Sequence, residues 1–600
     1  MWRYVTHVSP AVCPRRSFTH VEGTRLVFGP LQRMEAIPEE FSRCSYRGVT
    51  RVRTNDAFRY SPPLPIVAES TDVSGFSALN IQCLNAAGQA THTNFHLVKE
   101  DMFIVKANHT NFHPVKEDMT VVKSNNSNGK SPRANSARPN VVLLGMDSVS
   151  RLNFIRQMPS TYLFLKTTLG AVELLGYNKV GDATFPNLLA LLTGKFKQQL
   201  ATVDEMERMP LDDFPFVWKD FKRQDYRTLY IEDECIMSTF NYVKRGFESP
   251  PTDHYLRPFV CAVESHFETD HVAPPCVGMK TLSEVLLDYF VEFLATDHRG
   301  KSKFGFVFLA RDSHNRLNFA ADEMHRRFFD KMHEKEILRN TIVVYFSDHG
   351  LRVGRELQTT IGKLEERTPF AFVIAPESFR SRHRLLYDNL RQNAVRLTTP
   401  FDIHATLKHL LQIGQTKPYE HAGHGVSLFD DVPPNRTCAD AKIPPHWCAC
   451  DMSHVKVASD STGTVRRAAV ALLNSINEQT RKYRTACLPF LLQTIQDARV
   501  SVDGASGETS RRYLITIVAR ADGDDRKGGR ASSETVFAGT VIYYPDTSTF
   551  TVAHEISRLN IYGRQSRCVL HPKIRKLCYC RRNEDGIYKI YKEKYQANAQ

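Results

Sequence analysis

Four short, continuous apolar runs constrain this chain more than anything else in it. Val141–Met146, Phe304–Leu309, Ile342–Phe346 and Phe370–Ala375 each hold five or six apolar residues with almost no polar break. Runs of that length without alternation read as strands buried on both faces. Between and after them lie amphipathic stretches at helical spacing, including Thr281–Ala295, Asp322–Asn340 and Phe401–Leu411. Such alternation predicts an α/β sandwich with a mainly parallel central sheet. In sheets of this kind ligands bind beyond the carboxyl ends of the strands. Two of the runs deliver chemistry there. The first continues as Asp147-Ser148 and the third as Ser347-Asp348-His349-Gly350.

A third segment, Gly181-Asp182-Ala183-Thr184-Phe185-Pro186-Asn187, runs into Leu188-Leu189-Ala190-Leu191-Leu192-Thr193-Gly194. Proline suits the first turn of a helix, where its missing N–H is not needed. That places Thr184 at the helix cap, where free N–H groups and the positive helix end attract an anion. Strand-end Asp147, helix-cap Thr184 and strand-end Asp348 and His349 can converge on one divalent cation. A lone strand-end Asp is an ordinary turn residue, but the ordered set points to a metal site. The chain therefore reads as a metal-dependent hydrolase or transferase of phosphate-type esters.

Composition sets outer bounds. Six hundred residues with 42% apolar and 24% charged can bury a large core, and exceed one ordinary domain. The formal charge of +14 would suit an acidic partner. Without a Lys/Arg block interleaved with aromatics, nucleic acid is set aside, and an anionic glycan or membrane surface is retained beside the substrate. Seven of the 13 cysteines follow residue 430, with the C-x-C pairs Cys448/Cys450 and Cys578/Cys580. Zinc modules space their cysteines wider, so disulfides are the better reading, and they point to an oxidising compartment. The sequons at Asn108, Asn125 and Asn435 agree with an extracellular or secretory glycoprotein. Met1 to Arg16 carries no apolar signal core, so the true start is expected to be missing from this chain.

Three regions are expected. Residues 1–139 are poorly defined. They carry a 17-residue duplication (His92–Met102 and His109–Met119), read as a local duplication with no ligand role, and a Ser/Asn/Lys/Arg linker from Lys123 to Pro139. Residues 140–430 form the catalytic core. Residues 431–600 form a small, cysteine-stapled α+β appendage, with helical Arg466–Lys482 and strand-like Thr535–Tyr544.

The Thr-Phe-Pro-Asn segment and the strand-borne Asp-His-Gly resemble the alkaline phosphatase/sulfatase superfamily. Within it the chain is similar to the DUF229 family, whose members are sulfatase-like in fold. Further matching segments are Gly246-Phe247 with Pro251–Phe259, Glu365–Phe370, and Arg436-Thr437-Cys438 leading to Pro445–Cys450. The resemblance covers roughly Asn140 onward. It implies an alkaline-phosphatase-like sandwich and a first metal held by Asp147, Thr184, Asp348 and His349. Thr184 would be the nucleophile, and Asn187 of the same frame would bind substrate. The metal would be zinc, one or two ions, with calcium or magnesium as alternatives.

The two-metal members of that superfamily need a second cluster, for which His424 and His314 match. Here Asn315 stands where the family has Asp. Asp312 is a candidate replacement, sharing a face with His314 if the segment is extended, while Arg311 and Arg316 would disfavour a second dication. Sulfatases oxidise a Cys or Ser to formylglycine in a frame that here reads Thr184-Phe185-Pro186-Asn187-Leu188. Threonine's β-methyl blocks the aldehyde and Leu188 replaces the frame's Arg, so sulfatase chemistry is not expected. The alternative function is a catalytically degenerate extracellular binding protein that keeps the fold.

Overall fold

The computed structural model describes residues 13, 17–28, 43–52, 56–66, 70–98, 138–267, 275–298, 300–314, 318–414, 423–450, 455–457, 460, 463–501, 510–523, 534–563, 565–569 and 571–581. A seven-stranded sheet forms its centre. Across the sheet the order is Val172–Glu173, Ala371–Ile374, Thr341–Ser347, Asn140–Met146, Lys303–Leu309, Arg227–Glu232 and His254–Tyr255. The last five strands of that order are mutually parallel, and Ala371–Ile374 pairs antiparallel with both of its neighbours. All four apolar runs become strands of this sheet, as their lack of alternation requires.

Side chains alternate across the sheet and feed two cores. Val142, Leu144 and Met146 pack with Phe154, Phe290 and Phe328 on one face. Val141 and Leu143 pack with Leu188, Leu192, Trp218 and Leu407 on the other. Helices Arg151–Gln157, Leu282–Ala295 and Asn318–Glu334 supply the first face; Thr184–Thr193, Val217–Arg223 and Pro400–Gln412 supply the second. This is a three-layer α/β sandwich. Each fully buried Phe or Leu contributes about 1.5–3 kcal/mol relative to exposure, so a strand such as Lys303–Leu309, buried at every position, cannot slip register cheaply.

The C-terminal region is a five-stranded antiparallel sheet, Val455–Lys456, Phe490–Val500, Arg511–Ala521, Glu534–Tyr544 and Thr549–Arg558, crossed by the helix Thr464–Gln479. Its α+β character is the expected one. Disulfides join Cys438 to Cys448, Cys487 to Cys578, and Cys568 to Cys580, while Cys450 lies outside these bridges. Three more link Cys13 to Cys276, Cys44 to Cys83, and Cys235 to Cys261.

The N-terminal part differs from the sequence reading. Arg43–Val52, Ala57–Tyr60, Ala78–Leu84 and Ala90–Leu97 build an antiparallel sheet. It locks onto the centre through buried Asp56, which accepts from Arg51 (2.7 Å), Tyr255 (2.7 Å) and Asn241 (3.1 Å). The first copy of the duplication lies largely in the strand Ala90–Leu97; the second copy, the linker up to residue 137 and the sequons at Asn108 and Asn125 fall outside the described residues. Asn435 is exposed. Among the described residues no helix is long and apolar enough to cross a membrane.

Candidate metal centre

Parallel pairing sets Ser347 beside Met146, so Asp147 and Asp348 leave the sheet at the same end. Both are 1% exposed. The third component comes from the loop before the helix Thr184–Thr193. The cap is Ala183, one residue earlier than the sequence reading placed it, with Thr184 first in the helix and Pro186 in the first turn. Ala183 has no side-chain acceptor, so the first-turn N–H groups gain no side-chain cap. Gly194 closes the helix in the left-handed conformation (φ 67°), and a Cβ there would strike His404.

Four electron-pair donors meet above the sheet. Thr184 Oγ1 donates to Asp147 Oδ1 (3.2 Å) and lies 3.4 Å from His349 Nε2. His349 Nε2 lies 3.1 Å from Asp348 Oδ2 and 3.6 Å from Asp147 Oδ1. The ligand atoms of Asp147, Asp348 and His349 all fall within 4.8 Å of one another. His349 Nδ1 faces the Gly350 carbonyl at 2.8 Å, and only an N–H can satisfy a carbonyl. Nε2 of the neutral ring therefore carries the lone pair. Burial holds His349 in that neutral form, with its pKa lowered to about 3.

With Asp348 ionised, the arrangement is repulsive unless a cation is present. Asp348 Oδ1 accepts from the Ser148 and His349 backbone N–H groups at 3.0 and 2.9 Å, but its buried Oδ2 accepts no hydrogen bond. Instead it faces the lone pair of Nε2. Burial, and then the charge of Asp147, push Asp348 well above the usual carboxylate range. A buried carboxylate oxygen pointed at an imidazole lone pair is the signature of a cation's place. The donors fit a divalent ion.

Ser148 is a supporting residue that sequence reading missed. It adopts a left-handed conformation (φ 61°), uncommon outside glycine. That turn aims its N–H at Asp348 while its hydroxyl donates to Asp147 Oδ1 (2.9 Å). A hydroxyl residue following a strand-end Asp was the available signal. Gly350 is required by close approach: a Cβ would stand 2.1 Å from the Glu365 carbonyl oxygen.

Asn187, expected to bind substrate, has its amide turned into the protein. It is 1% exposed, and its Oδ1 accepts from the N–H groups of Val180 (2.8 Å) and Gly181 (3.0 Å). Its Nδ2 donates to the carbonyls of Gly181 (3.1 Å) and Ala183 (2.9 Å). With both ends of the amide occupied, Asn187 braces the loop that presents Thr184.

The second cluster fares differently. His424 Nε2 bonds Gln199 Oε1 (2.8 Å), its ring packed by Phe196 and Phe401. Among the described residues the metal-competent group comprises Asp147, Asp348 and His349 and does not include His424. Arg311–His314 is a helical turn, not an extended segment, and positions two apart in a helix do not share a face. The shared-face argument for Asp312 and His314 therefore fails. Their side chains, with Asn315 and Arg316, lie outside the described residues. Arg311 brings no unbalanced charge: it ion-pairs with Glu264 and Glu234 (3.6 Å), and its Nε donates to the Asp233 carbonyl (2.7 Å).

Comparison with known families decides the affiliation. The family described as "Protein of unknown function (DUF229)" matches residues 29–496. The chain belongs to the DUF229 family. Curated proteins yield no significant match to this DUF229 chain. Among solved structures it is similar to a protein in the alkaline phosphatase superfamily from Vibrio parahaemolyticus, at 13% identity over 77% of this chain and 88% of that one, TM-score 0.34. It is also similar to the lipoteichoic acid synthase LtaP from Listeria monocytogenes (12% identity, 64% and 85% covered, TM-score 0.34). A third is the C-terminal periplasmic domain of EcEptC from Escherichia coli in complex with Zn (14%, 46% and 84%, TM-score 0.34).

Proposed function

We propose that this DUF229 protein is a metal-dependent hydrolase or transferase of phosphate-type esters, with Thr184 as nucleophile. The observation that carries it is the buried convergence of Asp147, Thr184, Asp348 and His349, with Asp348 Oδ2 lacking a donor. Two carboxylates, an imidazole nitrogen and a hydroxyl match zinc best, since magnesium and calcium favour all-oxygen shells. A bound divalent ion supplies Lewis-acid polarisation and lowers the pKa of a coordinated hydroxyl.

The chain's own residues do the rest. The Thr184 hydroxyl is already directed at Asp147, which orients it for attack at phosphorus. The uncapped helix start turns its N–H groups toward the equatorial oxygens that gain charge in phosphoryl transfer. Asn187 fixes the loop, and Ser148 and Gly350 fix the carboxylates and the imidazole. Threonine cannot give formylglycine, because oxidation of a secondary alcohol yields a ketone. That argues for phosphate over sulfate esters. The degenerate-binder reading rests on Asn315, and phosphate esters bound without turnover would favour it.

The test is a panel of phosphomono- and diesters assayed with zinc-loaded protein beside Thr184→Ala. Loss of at least a hundredfold in turnover, compared at equal zinc occupancy reached by added zinc, is the expected result. Turnover that survives Thr184→Ala sinks the nucleophile assignment.

A further inference from the structure

One cation beside the metal centre is unused by the proposal above. Arg352 follows His349 by three residues, on a segment pinned at both ends. Gly350 N–H donates to the Glu366 carbonyl (3.0 Å), and Gly354 N–H donates to the Leu559 carbonyl of the C-terminal region (3.0 Å). Its Nε is buried and donates to nothing among the described residues. The acid nearest in effect to Arg352 is Asp182, followed in influence by Tyr562, Asp147 and Asp348, which together raise its pKa against the effect of burial.

Asp182 would be the natural partner of that guanidinium, but its carboxylate is already taken. Lys576 Nζ, from the C-terminal region, sits 2.7 Å from Asp182 Oδ2. Lys179 Nζ also donates to the Asp182 carbonyl at 3.3 Å while ion-pairing with Glu366 at 3.0 Å. Of the acids that act on Arg352, Asp182 already pairs with Lys576 and Asp147 and Asp348 belong to the metal group, so among the described residues Arg352 forms no ion pair of its own. A planar guanidinium with free donors beside a nucleophile matches two oxygens of a tetrahedral anion.

We infer that Arg352 binds the phosphoryl oxygens of the substrate, and that Lys576 is a positioning residue that keeps Arg352 available by neutralising Asp182. This rests on the phosphoester reading and adds to it a residue, Lys576, from beyond the stretch that matches the family.

The experiment is calorimetric titration of inorganic phosphate into zinc-loaded protein, with zinc counted by elemental analysis in every sample. Arg352→Gln should retain zinc and bind phosphate about tenfold or more weakly, as loss of a charge-assisted pair predicts. Lys576→Met should weaken phosphate binding as Arg352 turns to Asp182. Lys576→Met combined with Asp182→Asn should restore it, a rescue that a merely structural lysine would not show. Wild-type binding by Arg352→Gln overturns the Arg352 assignment alone, and a double variant that is folded yet no better than Lys576→Met overturns the role of Lys576. Wild-type protein that holds zinc but takes no phosphate overturns the phosphoester reading as well. Should the Lys576 variants fail to fold, the Arg352→Gln titration still decides the assignment of Arg352.

Discussion

Asp348 shows how a single side chain can demand a partner: one oxygen is fully bonded while the other faces a lone pair. Asp348→Asn should therefore lower zinc content and turnover together, because a neutral amide is a poor ligand for a dication. Full zinc content in an inactive Asp348→Asn protein would remove Asp348 from the ligand set. A different residue carries a pH signature. His325 is fully buried against Tyr345 (Nδ1 to the phenol oxygen, 3.1 Å), and burial lowers its pKa to about 3. Below the unfolded value near 6.5 the unfolded chain takes a proton that the folded ring refuses. Stability should consequently fall as pH drops from 6.5 toward 3. His325→Phe should reduce the linked proton uptake in that window by about one; an unchanged pH slope of unfolding would show that His325 is charged in the folded state. Asp147, Thr184, Asp348 and His349 were legible because strand ends and helix starts have sequence signatures. Ser148 was missed: the hydroxyl after a strand-end Asp was in view, but nothing in the sequence marked the left-handed turn that aims its N–H at Asp348. Asn187 was visible but misread, because its place beside Thr184 says nothing of where its amide points.

Among the elements, the loop Val180–Ala183 matters more than its length implies. Asn187 makes four hydrogen bonds to it from within the helix. Asn187→Ala should cost about 2–3 kcal/mol of stability by leaving buried N–H groups unpaired, and should lower turnover more than zinc content, since it displaces Thr184 and not the carboxylates. Urea denaturation and elemental analysis on the same variant separate the two effects. The central strands were legible because continuous burial forbids alternation. Asn318–Glu334 and Leu282–Ala295 were legible through helical spacing, the second helped by its Thr281–Glu284 capping box. The N-terminal sheet was missed because its strands are only partly buried, with no continuous apolar run, and are held by Asp56 contacts that only the fold brings together. The shared-face argument at Asp312 and His314 failed because four residues decide too little between a helical turn and a strand. Segments that marked the family prove to be braces around the site. Glu365 accepts from Ser150 and Arg156, Arg367 reaches the His446 carbonyl, and Arg436 clamps buried Asp402 with two hydrogen bonds.

For the molecule as a whole, the crosslinks give a direct check. Peptide mapping under non-reducing conditions should recover Cys438–Cys448, Cys487–Cys578 and Cys568–Cys580, each bridge contributing about 2–4 kcal/mol. Finding Cys487 joined to any other cysteine would contradict the chain path through the C-terminal region. That path places Lys576 against Asp182 across 394 positions of sequence. A ribosome adds about 5–20 residues per second, so Lys576 emerges some 20–80 s after its partner. In the later part of that interval, once Asp348 and His349 have been made, Asp182, two residues from the nucleophile, has the helix start and the ligand residues but not Lys576. The nascent chain therefore passes through a stage with an electrostatically unfinished centre, completed only when the C-terminal region carrying Lys576 has been made.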